Sequence, residues 1–173
     1  GVYQLPVKEL INFQFSTNGH RQNSYYGTTS YNADQYIGFG QLTWNKQVGT
    51  RHDLLLGAAY RFTYYDDNTG ATSGIEGENH PSVTNLPGLF VQDEITIDPS
   101  NKLLLGMRYD YNSAHGNIFS PRINYKWSSH NKRNIVRLSA GNGYRVANVF
   151  TEDHAALTGA RQVVFNETLL PET

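Results

Sequence analysis

The sequence predicts an all-β chain: an antiparallel up-and-down meander, a slice of about seven strands from a large transmembrane β-barrel. Three observations predict it. Apolar and polar residues alternate with period two through almost every segment before residue 146. The connections between these segments alternate between short and long. On the apolar face, aromatics gather at both ends and aliphatic residues fill the middle, as two bilayer interfaces around a hydrocarbon layer require.

The strands follow in order. Glu9–Asn18 sets Ile11, Phe13 and Phe15 against Asn12, Gln14 and Ser16. Asp34–Asn45 sets Tyr36, Leu42 and Trp44 against Gln41 and Thr43, with Ile37 and Phe39 falling on the polar side. Asp53–Tyr65 opposes Leu54, Leu56, Ala58, Tyr60, Phe62 and Tyr64 to Gly57, Ala59, Arg61 and Thr63. Leu89–Ile97 breaks the pattern, because Asp93 shares a face with Val91 and Ile95; a bulge is expected there. Lys102–Tyr111 is the clearest, with Leu103, Leu105, Met107, Tyr109 and Tyr111 opposite Leu104, Gly106, Arg108 and Asp110. Ile118–Ser128 and Asn134–Tyr144 repeat it. Pro121 lies inside the former and lacks the N–H a ladder uses, so a second bulge is expected.

Short connections are read at Lys46–His52, Asp98–Asn101 and Ser129–Lys132, and longer ones at Gly19–Ala33 and Asp66–Gly88. Asn112–Asn117 is the short exception on the long side. In a meander this parity puts tight turns at one end and long loops at the other, the asymmetry of outer-membrane barrels. Asp-Pro-Ser-Asn and Ser-Ser-His-Asn are turn compositions, so those two hairpins are expected to be the tightest. Trp44 and Trp127 stand toward the turn end; Tyr64, Tyr109, Tyr111 and Phe119 stand toward the loop end. A soluble β-sandwich shares the alternation but has no reason for either the parity or the paired aromatic belts.

Composition narrows the function. The formal charge of -1 lacks the basic excess of a nucleic-acid surface. With no Cys there is no disulfide, no thiolate nucleophile and no Cys-ligated metal. Twelve Tyr and eight Phe beside 17% charged residues exclude a disordered chain. No apolar run approaches the ~20 residues of a membrane helix, which leaves a barrel open. The chain lacks an initiator Met and is expected to be an internal piece of a longer protein.

Motifs for chemistry are thin. Gly141-Asn142-Gly143 begins like a dinucleotide fingerprint but lacks the third glycine and any βαβ context. No group has the nucleophile, base and orienting residue of a hydrolase, so no catalytic residue, enzyme activity or cofactor is expected. Glu76, Glu78 and His80 cluster in the Asp66–Gly88 loop as ligand candidates whose side chains are of metal-binding type, with a solvated polar loop the plainer explanation and no metal site assigned. Arg61, Glu94, Arg108, Asp110, Arg122, Lys126, Arg137 and Arg145 would share the polar face if strands pair in order. Charges of both signs there suit a wet lumen, pairing with one another or with a ligand.

Five segments carry a family likeness. Leu89-Phe90-Val91-Gln92-Asp93-Glu94, Leu105-Gly106-Met107-Arg108-Tyr109-Asp110 and Phe119-Ser120-Pro121-Arg122 resemble consecutive strands of TonB-dependent outer-membrane receptors. So does Arg137-Leu138-Ser139-Ala140-Gly141-Asn142-Gly143-Tyr144-Arg145-Val146-Ala147-Asn148, where Val146-Ala147 replaces the family's small–Pro pair. Leu170-Pro171-Glu172 is similar to the family's approach to its next strand, and the likeness runs from about residue 53 to the end.

The resemblance implies a barrel of about 22 strands with a plugged lumen, importing a scarce nutrient: an iron chelate, haem, cobalamin or a glycan. Residues 1–173 would be part of that barrel domain, with the plug and the remaining strands outside the chain. The implied partners are the small-molecule ligand, outer-membrane lipid and the TonB complex, reached through the plug; no nucleic acid is implied. The implied location is the bacterial outer membrane. Rival readings are a passive porin-like channel and a soluble β-sandwich binding module. An isolated slice has open strand edges and is expected to self-associate.

Overall fold

The computed structural model describes residues 2–5, 9–69, 72–73 and 78–144. They form one eight-stranded antiparallel sheet in chain order. The strands are β1 (Val2–Leu5), β2 (Glu9–Tyr26), β3 (Thr29–Val48) and β4 (His52–Asp67), then β5 (Ser82–Asp98), β6 (Asn101–Asn112), β7 (Gly116–Ser128) and β8 (Ile135–Gly141). No helix occurs among the described residues. The seven expected strands are β2 to β8; the four-residue β1 escaped because so short a segment shows no period.

Register makes the alternation into two faces. One cross-strand row runs Phe13, Leu42, Ala58, Leu89, Tyr109, Phe119, and the next runs Ile11, Trp44, Leu56, Val91, Met107, Pro121. This apolar face lies open: Phe13, Leu89, Met107, Phe119 and Leu138 are all more than half exposed. Only Tyr31, Ala33, Ala59 and Ile118 are buried hydrophobics among the described residues, and all four belong to the opposite, polar face. Among the described residues no second sheet covers the apolar stripe, and the single meander is the arrangement of a barrel wall and not of a β-sandwich. At the loop end the stripe closes on aromatic pairs, Tyr36 with Tyr64 at 5.9 Å and Tyr109 with Phe119 at 4.9 Å between ring centres. At the turn end Trp44 donates its Nε1–H to Glu9 at 3.0 Å, and the Lys46 ammonium lies 5.4 Å from its ring.

Several local expectations are corrected. Gly19–Ala33 is not a loop: β2 and β3 run on to a two-residue turn, Gly27-Thr28, with Gly27 at φ 65°. A positive φ at the first turn position is the II′ arrangement, whose twist matches the strands. This extension carries mostly polar side chains and so has no hydrophobic period; cross-strand bonds such as Arg21 Nε to Asp34 Oδ1, 2.7 Å, support it instead. Asp66–Gly88 shrinks likewise, since β4 continues to Asp67 and β5 begins at Ser82.

Asp93 needs no bulge. It pairs in unbroken register with Leu54 and Leu105, outward on the apolar face, and its Oδ2 meets His52 Nδ1 at 2.8 Å. The irregularity lies between Thr96 and Asp98, beside the Pro99-Ser100 turn. Asp98 Oδ1 accepts from the Ser100 and Asn101 backbone N–H groups at 2.8 and 3.0 Å, and Asn101 Nδ2 donates to both its oxygens. The Asn101 side chain, then the Ser100 N–H, hold the Asp98 carboxyl below its ordinary range. A depressed folded-state value stabilises the turn above the ordinary range, and the effect is lost as pH falls through the folded value.

Pro121 is accommodated without a bulge. Asn142 N donates to Pro121 O, so the backbone of Pro121 points toward β8, whose ladder ends at the Gly141–Arg122 pair. The missing N–H therefore faces a position where no strand needs it. The Ser129–Lys132 hairpin is not among the tightest: six residues separate β7 from β8, which itself stops at Gly141 rather than Tyr144.

Candidate functional site

The polar face gathers what the sequence assigned to it. Arg61, Glu94, Arg108, Asp110, Arg122, Lys126 and Arg137 stand at same-face register positions of β4 to β8. At its centre Arg108 grips Asp110 with two parallel bonds, Nε to Oδ2 and Nη2 to Oδ1, both 2.7 Å. The Asp110 side chain is 1% exposed and that of Arg108 37%, so the carboxylate is sealed while the guanidinium still reaches the open side. The guanidinium carbon sits 5.5 Å from the Phe90 ring centre.

Glycines make room for this cluster. A Cβ on Gly57 would lie 2.1 Å from Phe90 Cζ, and one on Gly88 would lie 2.0 Å from Asp110 Oδ1. Each glycine is the direct cross-strand partner of the side chain that covers it. Arg108, Phe90 and Asp110 are thus laid flat against the wall and fixed there.

Beside them Arg61 opens into a cavity of about 570 Å³, shared with Phe39, Ala59, Leu86, Ser120 and Tyr144. Among the described residues Arg61 has no hydrogen bond or ion pair, so its donors are available to an anionic ligand. Arg122 donates to Gln92, and Lys102 Nζ lies 2.5 Å from Glu94 Oε1. The wall therefore mixes structural pairs with free cations. Periodicity already put Phe39 on the polar side, but sequence reasoning missed Phe90 and Tyr144, since a lone aromatic on a mostly polar face does not stand out from the alternation.

A second cleft, 550 Å³, lies at the loop end between the β2–β3 extension and the β4–β5 connection. Asp67 organises it. Its Oδ1 accepts from Thr69 N at 2.9 Å, Thr69 Oγ1 at 2.8 Å and Thr72 Oγ1 at 2.9 Å. Its Oδ2 accepts from Tyr65, whose hydroxyl also meets that of Tyr31, each at 2.8 Å. Thr72 is 1% exposed, so this knot is dry. The lining is polar: Arg21, Asn23, Asn32, Asp34, Asp66, Asn68 and Asn79. The signal was present in Asp67-Asn68-Thr69, an Asx-turn composition.

Of the loop candidates, Glu78 Oε1 lies 3.6 Å from His80 Nε2, an ion pair only when the imidazole is protonated. Glu76 and Arg145 lie outside the described residues. Among the described residues no three His, Asp or Glu side chains gather as a metal site. What the geometry offers is recognition: fixed donors on the polar wall, and at the loop end a polar cleft whose Arg21, Asn23, Asn32, Asp34 and Asp66 stand on the face of the apolar stripe.

Comparison with known proteins bears on this arrangement. Residues 3–173 match the family model described as TonB dependent receptor-like, beta-barrel. That span reaches further toward the N-terminus than the likeness read from residue 53. A curated ferric enterobactin receptor from Pseudomonas aeruginosa is 28% identical over 124 residues, 64% of this chain and 16% of that protein. A crystal structure of a mutant ferric enterobactin receptor from the same organism superposes with TM-score 0.63 at 17% identity, covering 86% of this chain and 25% of that one. Another such mutant, in complex with enterobactin, gives TM-score 0.56 at 18% identity over 82% of this chain and 24% of that one. The chain thus spans a quarter or less of the length of these three relatives.

Proposed function

Because the chain belongs to the TonB-dependent receptor β-barrel family, a family of outer-membrane receptors and not of enzymes, we propose that the full-length protein imports a ferric siderophore. The observation that carries this is a single sheet with an uncovered apolar face belted by aromatics and a polar face bearing fixed and free cations. The first faces lipid and the second the lumen. An iron chelate is favoured over haem, cobalamin or glycan because the matched relatives are ferric enterobactin receptors.

In this reading residues 1–173 are part of the barrel domain, and coupling to TonB runs through a plug outside the chain. Arg61 and the open edge of the Arg108 guanidinium contact the ligand in the lumen, while Arg122 and Glu94 serve the wall through Gln92 and Lys102. The loop-end cleft, with the Glu78–His80 connection beside it, makes the first capture.

Uptake of radiolabelled ferric siderophore into cells should stop when TonB is deleted or the proton gradient is collapsed. Uptake that continues without TonB would favour the porin-like channel. Removing the connection between Asp67 and Ser82 is expected to weaken ligand binding to cells at least about tenfold, since loops of this length in compact domains are usually functional. Unchanged binding with the barrel still folded would take the loop out of the capture role.

A further inference from the structure

Three cations stand in one cross-strand row on the polar face: Lys102 opposite Lys126, and Lys126 opposite Arg137. Backbone bonds fix which pair is closer. Ser128 N donates to Ser100 O toward β6, and Asn142 N donates to Pro121 O toward β7. Backbone groups alternate sides along a strand, so Lys126, two residues from Ser128, directs its own toward β6. Lys126 and Arg137 are therefore a non-hydrogen-bonded pair, with Cα atoms about 4.5 Å apart and side chains at their closest. Like charges placed directly opposite destabilise a sheet.

Counter-charge is short. Glu94 holds Lys102 at 2.5 Å. Among the described residues Lys126 and Arg137 have neither hydrogen bond nor ion pair; Lys126 is half-buried, and Arg137 is exposed on β8. A cavity of 260 Å³ opens over the row, and Asn124 and Ser139 add an amide and a hydroxyl to its wall. Two unpaired cations flanked by two neutral donors match the oxygens of a single anionic group.

We infer that this row is an oxyanion site, in which a carboxylate or phosphate group bridges Lys126 and Arg137 and takes further hydrogen bonds from Asn124 and Ser139. It is separate from the Arg61 cavity and does not depend on which nutrient is imported. The oxyanion is either a free solute or a carboxylate of the full-length polypeptide, and the two differ in how the protein melts.

The test uses the full-length receptor in detergent, melted in inorganic phosphate or in chloride at equal ionic strength and pH. With a free oxyanion, phosphate raises the melting temperature above that in chloride. Lys126→Gln and Arg137→Gln then weaken the apparent phosphate affinity at least about tenfold, while Lys126→Arg retains it. With a tethered carboxylate, phosphate has no special effect, both Gln variants melt lower in either salt, and Lys126→Arg melts like wild type. The inference is overturned if phosphate matches chloride and the Gln variants melt at or above wild type. It is equally overturned if a phosphate shift survives in those variants, or if Lys126→Arg behaves like Lys126→Gln.

Discussion

Gly88→Val is expected to cost about 2–4 kcal/mol of barrel stability and to leave little folded receptor in the membrane. The new Cβ would stand 2.0 Å from Asp110 Oδ1 and 2.9 Å from Arg108 Nη2, so the carboxylate has to leave its place. Asp110 is sealed from water and Arg108 is not, which puts the loss below that of a fully buried pair. The measurement is the fraction of full-length protein that migrates as folded barrel before heating, together with its urea midpoint. Gly40→Val is the control, because nothing lies within 4 Å of a Cβ there. Combining Gly88→Ala with Asp110→Ala should cost less than the two changes added, since each removes the reason for the other's penalty. Equal stability of Gly88→Val and wild type would show that the Arg108–Asp110 pair is not fixed against the wall.

Met107→Arg tests the opposite face. Met107 is 53% exposed in the middle of β6, between Val91 and Pro121 on the apolar stripe. If that stripe meets hydrocarbon, a guanidinium there costs about 2–4 kcal/mol, falling toward the interfaces. Gln14→Arg, on the polar face of β2, should stay within about 1 kcal/mol. Folding into lipid vesicles and unfolding in urea give both numbers. A Met107→Arg receptor as stable as wild type would mean that the stripe does not face lipid.

The contrast between these two changes separates what could be read early from what could not. Met107 was assignable to the apolar face from its neighbours two residues away, because strand geometry alone sends Leu103, Leu105, Met107 and Tyr109 to one side. The polar face of β4 to β8 was legible for the same reason, and the register keeps Arg61, Arg108, Asp110, Arg122 and Arg137 together on it. Gly88 was not. Its role depends on Asp110 being its cross-strand partner, and no local pattern names a partner on another strand.

The misjudged segments fail for physical causes of the same kind. Gly19–Ala33 looked like a loop because a strand without an apolar face has no period, although ladder bonds and the Gly27 turn hold it. Asp93 looked like a bulge because a carboxylate on an apolar stripe is costly, until His52 arrived beside it from β4. Pro121 looked like a defect because the end of β8 cannot be read from β7.

By itself the sequence determined the strand class, the two faces, the order of pairing and the family likeness, since these follow from side-chain alternation and nearest neighbours along the chain. Only the tertiary structure decided the register, and with it the sealed Arg108–Asp110 pair, the Arg61 cavity, the Asp67 knot at the loop end and the opposed Lys126 and Arg137. The reason is distance along the chain. A period of two is written in adjacent residues, whereas a cross-strand contact joins residues many positions apart and exists only once neighbouring ladders have locked.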